Sequence, residues 1–548
     1  MTFPTLIALF WQDLTWEELL LILSDWTIRI VMLIVVPQRR APAAARAWLI
    51  LIFLLPWPGL LVYLVLGKPR VAEQRLERHA TYQQRLAQRV RRQIDHWRER
   101  QALPPFSRMA HASQRQLPAQ AITAGALVAT AAGNASDGVA PGTAISAVDP
   151  ATNSEADPME YVPERFQPTV ALTQALTHLP ILDGNAVELL EDYNATIDRL
   201  IADINAAQDT VHVLYYIFAA DVTGRKVADA LVRAAARGVT CRVLVDALGS
   251  RPALRALLPK LRAGGIEAYA VSPFSLAHLF RRHRTSRIDL RNHRKIVVLD
   301  GQIAYTGSQN IVDADFKRGI VYEELVARLT GGIVRQLQAV FLGDWYLETQ
   351  QLLEGRDVLR KLTRTGEIAA QALPSGPEYP IEANQRLFTS LLHCARRRIV
   401  LTSPYFIPDA ALLNALETAA LRGVETHLVV SQAADQFLVC QAQRSFYAEL
   451  LAMGVQIHLY TPAFLHAKHL SVDDDLVVIG SSNLDRRSFA LNAEISVVFY
   501  GNEVAKRLHA IEQRYFEHAL ALTAEEWAAR PWYSKILQNI ARLMDVLL

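Results

Sequence analysis

Cysteine is scarce in this 548-residue sequence: it has only three, Cys241, Cys394 and Cys440, and they lie far apart. That number and spacing exclude a disulfide framework and a cysteine-based zinc cluster, and they predict small buried side chains. A large excess of charge of one sign is also missing, because 57 Lys and Arg balance 54 Asp and Glu. Binding to a polyanion such as nucleic acid is therefore not indicated, and any basic partner site must be local.

A basic segment ahead of the first apolar run is absent as well, which argues against a cleaved signal peptide. Two apolar stretches, 19–36 and 47–66, each approach the ~20 residues that span a bilayer. The second has no charged residue, whereas the first carries Asp25 and Arg29 on one helix face, where burial in lipid is costly. We predict a membrane anchor with two transmembrane helices over residues 1–67.

Basic residues are unevenly distributed around these two stretches. The loop between them has three arginines, and a heavier cluster follows the second, at Lys68, Arg70, Arg75, Arg78 and Arg85. The heavier basic cluster after the second stretch predicts that the N-terminus and the part of the chain after this stretch both lie on the cytoplasmic side. Residues 68–102 form a basic juxtamembrane helix in this interpretation, either simply solvated or attracted to anionic headgroups. Residues 103–163 are small and polar, which predicts a flexible linker.

From about residue 164 the sequence alternates strand-like and helix-like segments, and it does so twice. The first series includes 211–218, 225–238, 239–247 and 266–271, and the second includes 398–406, 411–423, 424–431 and 455–460. This order predicts an α/β fold with mainly parallel sheets, in two pseudo-repeated halves at 164–355 and 356–522, followed by a C-terminal amphipathic tail at 523–548. The first half has an extra basic loop at about 272–288, with Arg281, Arg282, His283, Arg284 and Arg287.

Both halves end in the pattern His-x-Lys-x4-Asp-x6-Gly-Ser-x-Asn. The first copy is His293, Lys295, Asp300, Gly307, Ser308 and Asn310, and the second is His466, Lys468, Asp473, Gly480, Ser481 and Asn483. Histidine and lysine two residues apart project together from a strand. Asp-Gly at 300–301 predicts a two-residue hairpin that places Ser308 opposite His293, and Ser481 opposite His466 by the same reasoning. Each motif aspartate then lies at the turn, away from its histidine.

A cluster of histidines, lysines and amide side chains suits phosphoryl chemistry. Lysine and amide donors hold non-bridging phosphate oxygens and stabilise charge in the transition state. One imidazole can attack phosphorus while the other donates a proton to the leaving oxygen. The cations are part of the protein in this scheme, so we expect no metal and no cofactor.

At these residues the sequence resembles the phospholipase D superfamily, whose signature is this doubled motif, and within it the bacterial cardiolipin synthases. Further matching stretches are DLRNHRKIVVLDG (289–301), SGPEYP (375–380), TSPYFIPD (402–409), FLHAKHLSVDD (464–474) and GSSNLDRRSFALNAE (480–494). The resemblance covers nearly the whole chain except 103–163. It implies two phospholipase D-type sandwich halves that share one active site, in a multi-pass protein of the bacterial inner membrane.

The resemblance also implies roles for these residues. His293 would attack phosphatidylglycerol to give a phosphatidyl-histidine, while His466 would protonate the leaving glycerol and then activate a second phosphatidylglycerol. The lysines, Asn310 and Asn483 would bind phosphate oxygens, supported by Ser308 and Ser481. Asp300 and Asp473 would brace the site. Glu494, together with Glu323 or Glu324, resembles the acidic residues that orient the opposite histidine.

Other interpretations remain open from the sequence. A phospholipase D-type hydrolase, or a transferase with another lipid or alcohol acceptor, would share these motifs. A lipid-binding scaffold is the non-enzymatic alternative, although the decay of one motif that it predicts is absent. Tyr405, Phe406, Phe464 and Leu465 flank the motifs, either as an apolar rim for acyl chains or as core. The partners we expect are phosphatidylglycerol and anionic membrane lipids.

Overall fold

The computed structural model describes residues 15–39, 42–67, 75–85, 158–271, 290–353, 363–379 and 382–543. The basic loop predicted at 272–288 lies outside the described residues, as do nearly all of the predicted linker and residues 86–102 of the predicted basic helix. The domain boundaries stay predictions.

The N-terminal region contains one long apolar helix followed by two short ones. These are α1 (Trp16–Arg39), α2 (Pro42–Leu54) and α3 (Pro56–Leu66). Within the described residues, only α1 is long and apolar enough to cross a membrane. The predicted pair in α1 is present, with Asp25 Oδ2 and Arg29 Nη2 3.9 Å apart, and Arg29 Nε donates to the Phe53 carbonyl oxygen at 3.2 Å.

The prediction of one continuous span over 47–66 is wrong. The helix breaks at Leu55, because Pro56 has no amide hydrogen to continue the ladder and disfavours helical geometry at the preceding residue. The chain then folds back, so that a Cβ on Gly59 would lie 2.9 Å from the Ile52 Cα. The Trp48 and Tyr63 rings pack edge-on at 5.2 Å, which fixes α3 against α2.

The helix at residues 75–85, α4, lies outside the apolar region and packs on the α/β part. Its Tyr82 hydroxyl donates to the Ala339 carbonyl oxygen at 2.8 Å, and its Arg75 guanidinium binds the carboxylates of Glu348 and Glu378. Two 3₁₀ turns, Pro158–Tyr161 and Glu164–Phe166, then lead into the first half.

The predicted α/β repeat is present in both halves. The first half contains α5 (Gln167–Thr177), β1 (Leu182–Leu190), α6 (Tyr193–Ala206), β2 (Thr210–Tyr215), α7 (Val222–Ala236), β3 (Thr240–Asp246), α8 (Arg251–Ala256), α9 (Leu258–Ala263), β4 (Glu267–Val271), β5 (Ile296–Leu299), β6 (Ile303–Gly307), β7 (Tyr322–Glu323), β8 (Val326–Thr330) and α10 (Ile333–Thr349).

The second half has the same order of long strands and helices, with additional short elements and a C-terminal extension. It contains β9 (Ile368–Ser375), α11 (Ala383–Cys394), β10 (Arg398–Thr402), β11 (Phe406–Ile407), α12 (Ala410–Leu421), β12 (Glu425–Ser431), α13 (Phe437–Arg444), α14 (Tyr447–Ala452), β13 (Gln456–Tyr460), β14 (Phe464–Leu465), β15 (His469–Val472), β16 (Leu476–Gly480), β17 (Leu484–Asp485), α15 (Arg486–Ala490), β18 (Glu494–Tyr500), α16 (Asn502–Glu517), β19 (Ala519–Leu522), α17 (Ala524–Ala528) and α18 (Trp532–Leu543).

One sheet of fifteen strands runs through both halves, in the order β19-β13-β12-β10-β15-β16-β18-β9-β1-β8-β6-β5-β2-β3-β4. The order is mirrored about the antiparallel contact between β9 and β1, where Leu182 pairs with Ala370. Within this sheet the parallel pairs are those of β2-β3-β4 and β10-β12-β13, and the edge strand β19 is antiparallel to β13. The prediction of mainly parallel sheets is therefore wrong, because the motif hairpins place antiparallel strands in the middle of each half.

Side chains alternate between two apolar cores along the central strands. In β5, Ile296 and Val298 enter a core that also contains Val477 and Ile479 of the second half, whereas Val297 and Leu299 face the outer core of the first half. Helices α10 and α16 contribute to the shared core. The two halves therefore bury apolar surface against each other as one unit.

The predicted hairpins are present, but their register is wrong by one residue. Leu299 pairs with Ile303, and Val472 pairs with Leu476, so each loop holds three residues instead of two. The extra residue shifts the opposing strand, and β5 begins only at Ile296. Ser308 does not pair with His293, and Ser481 does not pair with His466.

Candidate active site

The two motif histidines lie just before strands, in segments that pair with the other half of the protein. The His293 amide donates to the Ala493 carbonyl oxygen at 2.8 Å, and the His466 amide donates to the Glu323 carbonyl oxygen at 2.7 Å. These crossed contacts hold each histidine against the opposite half.

Each imidazole is oriented by a carboxylate from the opposite half. His293 Nδ1 lies 2.9 Å from Glu494 Oε2, and His466 Nδ1 lies 2.8 Å from Glu324 Oε1. The Ser481 carbonyl oxygen is also 3.1 Å from His293 Nδ1. An Nδ1–H that donates to these acceptors leaves the Nε2 lone pair for chemistry.

The structure distinguishes between the two acidic residues that the sequence left as alternatives. Glu324 contacts His466, whereas the Glu323 carboxylate accepts a hydrogen bond from the Tyr460 hydroxyl at 2.6 Å. Glu324 is 3% exposed, and one of its carboxylate oxygens has no hydrogen-bond partner among the described residues.

The two motif lysines are buried beside the histidines. Lys295 Nζ donates to the His293 carbonyl oxygen at 2.7 Å, and Lys468 Nζ donates to the His466 carbonyl oxygen at 2.8 Å. Burial is the main reason that their pKa values fall, to about 7 for Lys295 and about 8 for Lys468, although Glu494 and Glu324 oppose the change. An anionic substrate would restore their full charge.

Burial also controls the state of the imidazoles. It lowers the pKa of His293 to about 4, because Lys295 adds to the effect of burial and the carboxylate of Glu494 only partly offsets it. Burial and Lys468 lower the pKa of His466 as well, against the opposing charge of Glu324. A neutral His293 has the free lone pair that a nucleophile needs.

Asp300 and Asp473 lie at the turns and bind backbone amides away from the imidazoles. The Asp300 carboxylate accepts from the amides of Gln208, Asp209 and Thr210 at 2.7–2.9 Å. Asp473 accepts from the amides of 396–398 and from the Arg165 guanidinium. Both aspartates have a φ of 52°, a left-handed conformation that aspartate tolerates better than most residues.

The motif glycines and serines fix each hairpin to its neighbouring strand. A Cβ on Gly307 would lie 2.3 Å from the Leu325 carbonyl oxygen, and one on Gly480 would lie 2.3 Å from the Ile495 carbonyl oxygen. The Ser481 hydroxyl donates to Glu494 Oε2 at 2.5 Å, and the Ser308 hydroxyl donates to the Leu325 carbonyl oxygen at 3.1 Å.

The two motif asparagines differ in their contacts. Asn310 Oδ1 accepts from the Ile217 amide at 3.2 Å. Asn483 Oδ1 is buried without a hydrogen-bond partner among the described residues. This acceptor is a candidate contact for a substrate hydroxyl, because an unsatisfied buried polar atom is costly, and the amide nitrogen of the same side chain is the group that can donate to phosphate oxygens.

Two tyrosines next to the histidines were not found from the sequence, whereas Phe464, 6.2 Å from the His466 ring, was named there. The Tyr216 ring lies 4.7 Å from the His293 ring, and the Tyr322 ring lies 5.6 Å from the His466 ring. Tyr405 and Tyr322 both donate to Asp435 Oδ2, at 2.6 and 3.2 Å. The other residues proposed for an apolar rim are core: Phe406, Phe464 and Leu465 are all buried.

A buried ion pair behind the first motif was also missed. Arg294, between His293 and Lys295, binds Asp344 through Nη1 at 2.5 and 2.6 Å, and its Nη2 donates to the Ser375 carbonyl oxygen. The signal was present in the sequence, because Asp344 is an acidic residue in the otherwise apolar stretch of α10. The described residues contain no group of three or more His, Cys, Asp or Glu side chains arranged to hold a metal ion.

Two family models match this chain. The family model described as cardiolipin synthase, PLD-like domain, matches residues 200–345 and 388–517, which include both motifs. The chain belongs to the cardiolipin synthase family. A second model, the phospholipase D-nuclease N-terminal region, matches residues 27–68.

Cardiolipin synthase family members match along the length of the chain. Cardiolipin synthase A of Pectobacterium carotovorum is 30% identical over 96% of this chain and 96% of its own length. Cardiolipin synthase A of Proteus mirabilis is 34% identical over 70% of this chain and 79% of its own length. The fold is also that of the phosphatidylserine synthase of Haemophilus influenzae, with a TM-score of 0.50 and 14% identity over 69% of this chain and 97% of that one.

Proposed function

We propose that this membrane enzyme of the cardiolipin synthase family transfers a phosphatidyl group from one phosphatidylglycerol to another, with release of glycerol. The observation that carries the proposal is the crossed arrangement of the site, in which each half supplies the carboxylate for the other half's histidine. Two imidazoles that are held in this way, beside two buried lysines, provide a nucleophile, an acid and an anion site in one place.

In the first step, His293 Nε2 attacks phosphorus, and the bond from phosphorus to the headgroup glycerol oxygen breaks. The leaving oxygen takes a proton from His466, which gives free glycerol and a phosphatidyl-histidine. In the second step, the terminal hydroxyl of another phosphatidylglycerol gives its proton to His466 and attacks phosphorus. The phosphorus–nitrogen bond then breaks, which releases cardiolipin and restores His293.

The choice of His293 as the nucleophile comes from the resemblance to the phospholipase D superfamily, since burial lowers the pKa of both imidazoles. Burial holds His293 neutral, which suits the attacking group. The bound phosphate adds negative charge beside His466 and favours its protonated form. We propose that Lys295, Lys468, Asn310 and Asn483 bind the phosphate oxygens, and that Asp300, Asp473, Ser308 and Ser481 hold the segments that carry them.

We further propose that α1 crosses the inner membrane and that the catalytic part faces the cytoplasm, where anionic lipids are its substrates. The long apolar helix supports the first statement. The basic residues after the apolar region support the second.

The test is product analysis with the full chain purified in detergent and labelled phosphatidylglycerol. We expect free glycerol and cardiolipin, with at least a ~1,000-fold loss of rate in His293→Ala and in His466→Ala. His393→Ala is the matched control, because that histidine is exposed on α11, and it should retain activity. Phosphatidic acid as the main product would indicate a hydrolase, and full activity in either motif variant would rule out the shared site.

A further inference from the structure

The C-terminal helix α18 has its apolar side turned away from the protein. The exposed side chains along it are Trp532, Tyr533, Ile536, Leu537, Ile540 and Leu543. Trp532 is 72% exposed, Ile536 49% and Ile540 53%. Gln538, on the opposite side, is buried. A helix on a water-soluble surface normally shows the reverse pattern.

Specific contacts hold α18 in this orientation. Arg542 Nη2 lies 2.9 Å from Glu449 Oε2, and its guanidinium stacks over the Phe446 ring at 4.2 Å. Gln538 Oε1 accepts from Arg530 Nε at 3.1 Å, and Ala541 enters the core of the second half. The helix therefore presents its apolar side because the polar side is attached to the protein.

The neighbouring helix α13, which packs on α18, connects this surface to the active site. It begins with Phe437 and Leu438, which are 61% and 43% exposed. Two residues before Phe437, Asp435 accepts hydrogen bonds from Tyr405 and from Tyr322, whose ring lies against His466. An apolar surface thus leads to the edge of the site.

We propose that the exposed side chains of α18, with Phe437 and Leu438, form a docking surface for the lipid bilayer, separate from the N-terminal helix α1. Tryptophan and tyrosine at one end of an apolar helix face are typical of interfacial helices. Lys535 lies beside this face and complements anionic headgroups. The choice of a bilayer rests on the proposed function, because the adjoining site would then take its substrates from the membrane.

The first test locates residue 536 relative to lipid in the full-length protein. Ile536→Cys is labelled with a fluorophore in a variant whose free cysteines Cys241, Cys394 and Cys440 are replaced by alanine, and the protein is reconstituted into phosphatidylethanolamine–phosphatidylglycerol vesicles with brominated acyl chains. Leu421→Cys is the control, because Leu421 is an exposed leucine on α12. We expect the emission at 536 to fall to about half, because interfacial helices insert into the acyl boundary, with no change at 421.

The second test measures turnover in the variant with both Ile536→Asp and Ile540→Asp. We expect its rate on long-chain phosphatidylglycerol in vesicles to fall about tenfold, because two inserted apolar side chains are lost. Its rate on a short-chain phosphatidylglycerol below the micelle concentration should be unchanged, which establishes that the variant folds. Leu421→Asp should leave both rates as they are.

The two tests distinguish a failure of the proposed docking surface from a failure of the proposed function. Quenching at residue 536 in a protein that makes no cardiolipin would overturn the function and support the surface. Active protein without quenching at 536 would overturn the surface, as would a cross-link between two copies through Cys at 536, which would indicate a second chain on this face.

Discussion

At the scale of single residues, Glu494 and Glu324 determine which imidazole nitrogen is free. We predict that Glu494→Gln and Glu324→Gln each lower kcat by about 100-fold, because an amide can hold the ring in the wrong tautomer. Glu323→Gln is a control one residue away, since the Glu323 carboxylate accepts from Tyr460 instead. Steady-state kinetics would check this, and an equal loss in all three variants would contradict it.

The lowered pKa values of the two motif lysines predict that substrate binding weakens at alkaline pH. Their charged forms are present below the lowered pKa values, about 7 for Lys295 and about 8 for Lys468, and are lost as the pH rises through them. We therefore expect kcat/KM for phosphatidylglycerol to fall above about pH 8, while kcat changes less because bound phosphate keeps both lysines charged. A kcat/KM that is constant from pH 7 to 9.5 would contradict this.

Much of this residue-scale site could be predicted from the sequence, because two copies of one spacing identify the histidines and lysines. The choice between Glu323 and Glu324 could not, since adjacent residues face opposite ways and only the contact of β7 with β14 decides between them. The hairpin register could not either. Asp-Gly and Asp-Asp both allow left-handed turns, and the number of loop residues depends on how each aspartate binds the amides beside it.

At the scale of elements, α4 connects the membrane region to the back of the active site. Arg75 binds Glu348 and Glu378, and the His79 ring packs at 4.7 Å on Tyr379, which lies under the Arg294 guanidinium. Arg294 in turn directly precedes Lys295. The helix is thus attached to the segment that carries His293.

We predict that Arg75→Gln releases α4 from the α/β part, because it removes the positive charge that lies between two nearly buried carboxylates, at about 3–5 kcal/mol. Faster hydrogen exchange over residues 75–85 would be the readout. Glu77→Gln, an exposed change on the same helix, is the matched control. Exchange that is equally slow in both variants would show that the ion pairs do not hold the helix.

Element types were predicted well where the periodicity was clear, as in β2, α7 and β3. The prediction of one continuous helix over 47–66 was wrong, because hydrophobicity was weighed without the two prolines, Pro56 and Pro58, which end α2 and turn the chain back. The exposed apolar side of α18 could not be derived from the sequence. An amphipathic pattern gives the two faces of a helix but does not say which one meets the protein.

At the scale of the whole molecule, the continuous sheet and shared core predict that both halves unfold together. Asn185 lies at the junction, where its Nδ2 donates to the carbonyl oxygens of Leu182 and Ile368 and its Oδ1 accepts from the Ile333 amide. We expect Asn185→Ala to lower the free energy of unfolding by about 3 kcal/mol, because buried backbone groups lose their partners.

Denaturant titration would measure this loss, and a single transition should persist. Asn194→Ala, at an exposed position on α6, is the control and should change little. Two separate transitions in the wild-type protein would contradict the expectation that the halves form one cooperative unit.

The crossed carboxylates also limit how the two halves can diverge. Glu324 and Glu494 each serve an imidazole encoded more than a hundred residues away, so neither repeat contains a complete catalytic unit of its own. Under the proposed mechanism, a substitution of either carboxylate disables the histidine of the other repeat. The two motifs are then constrained together, and both carry every fixed residue of the pattern.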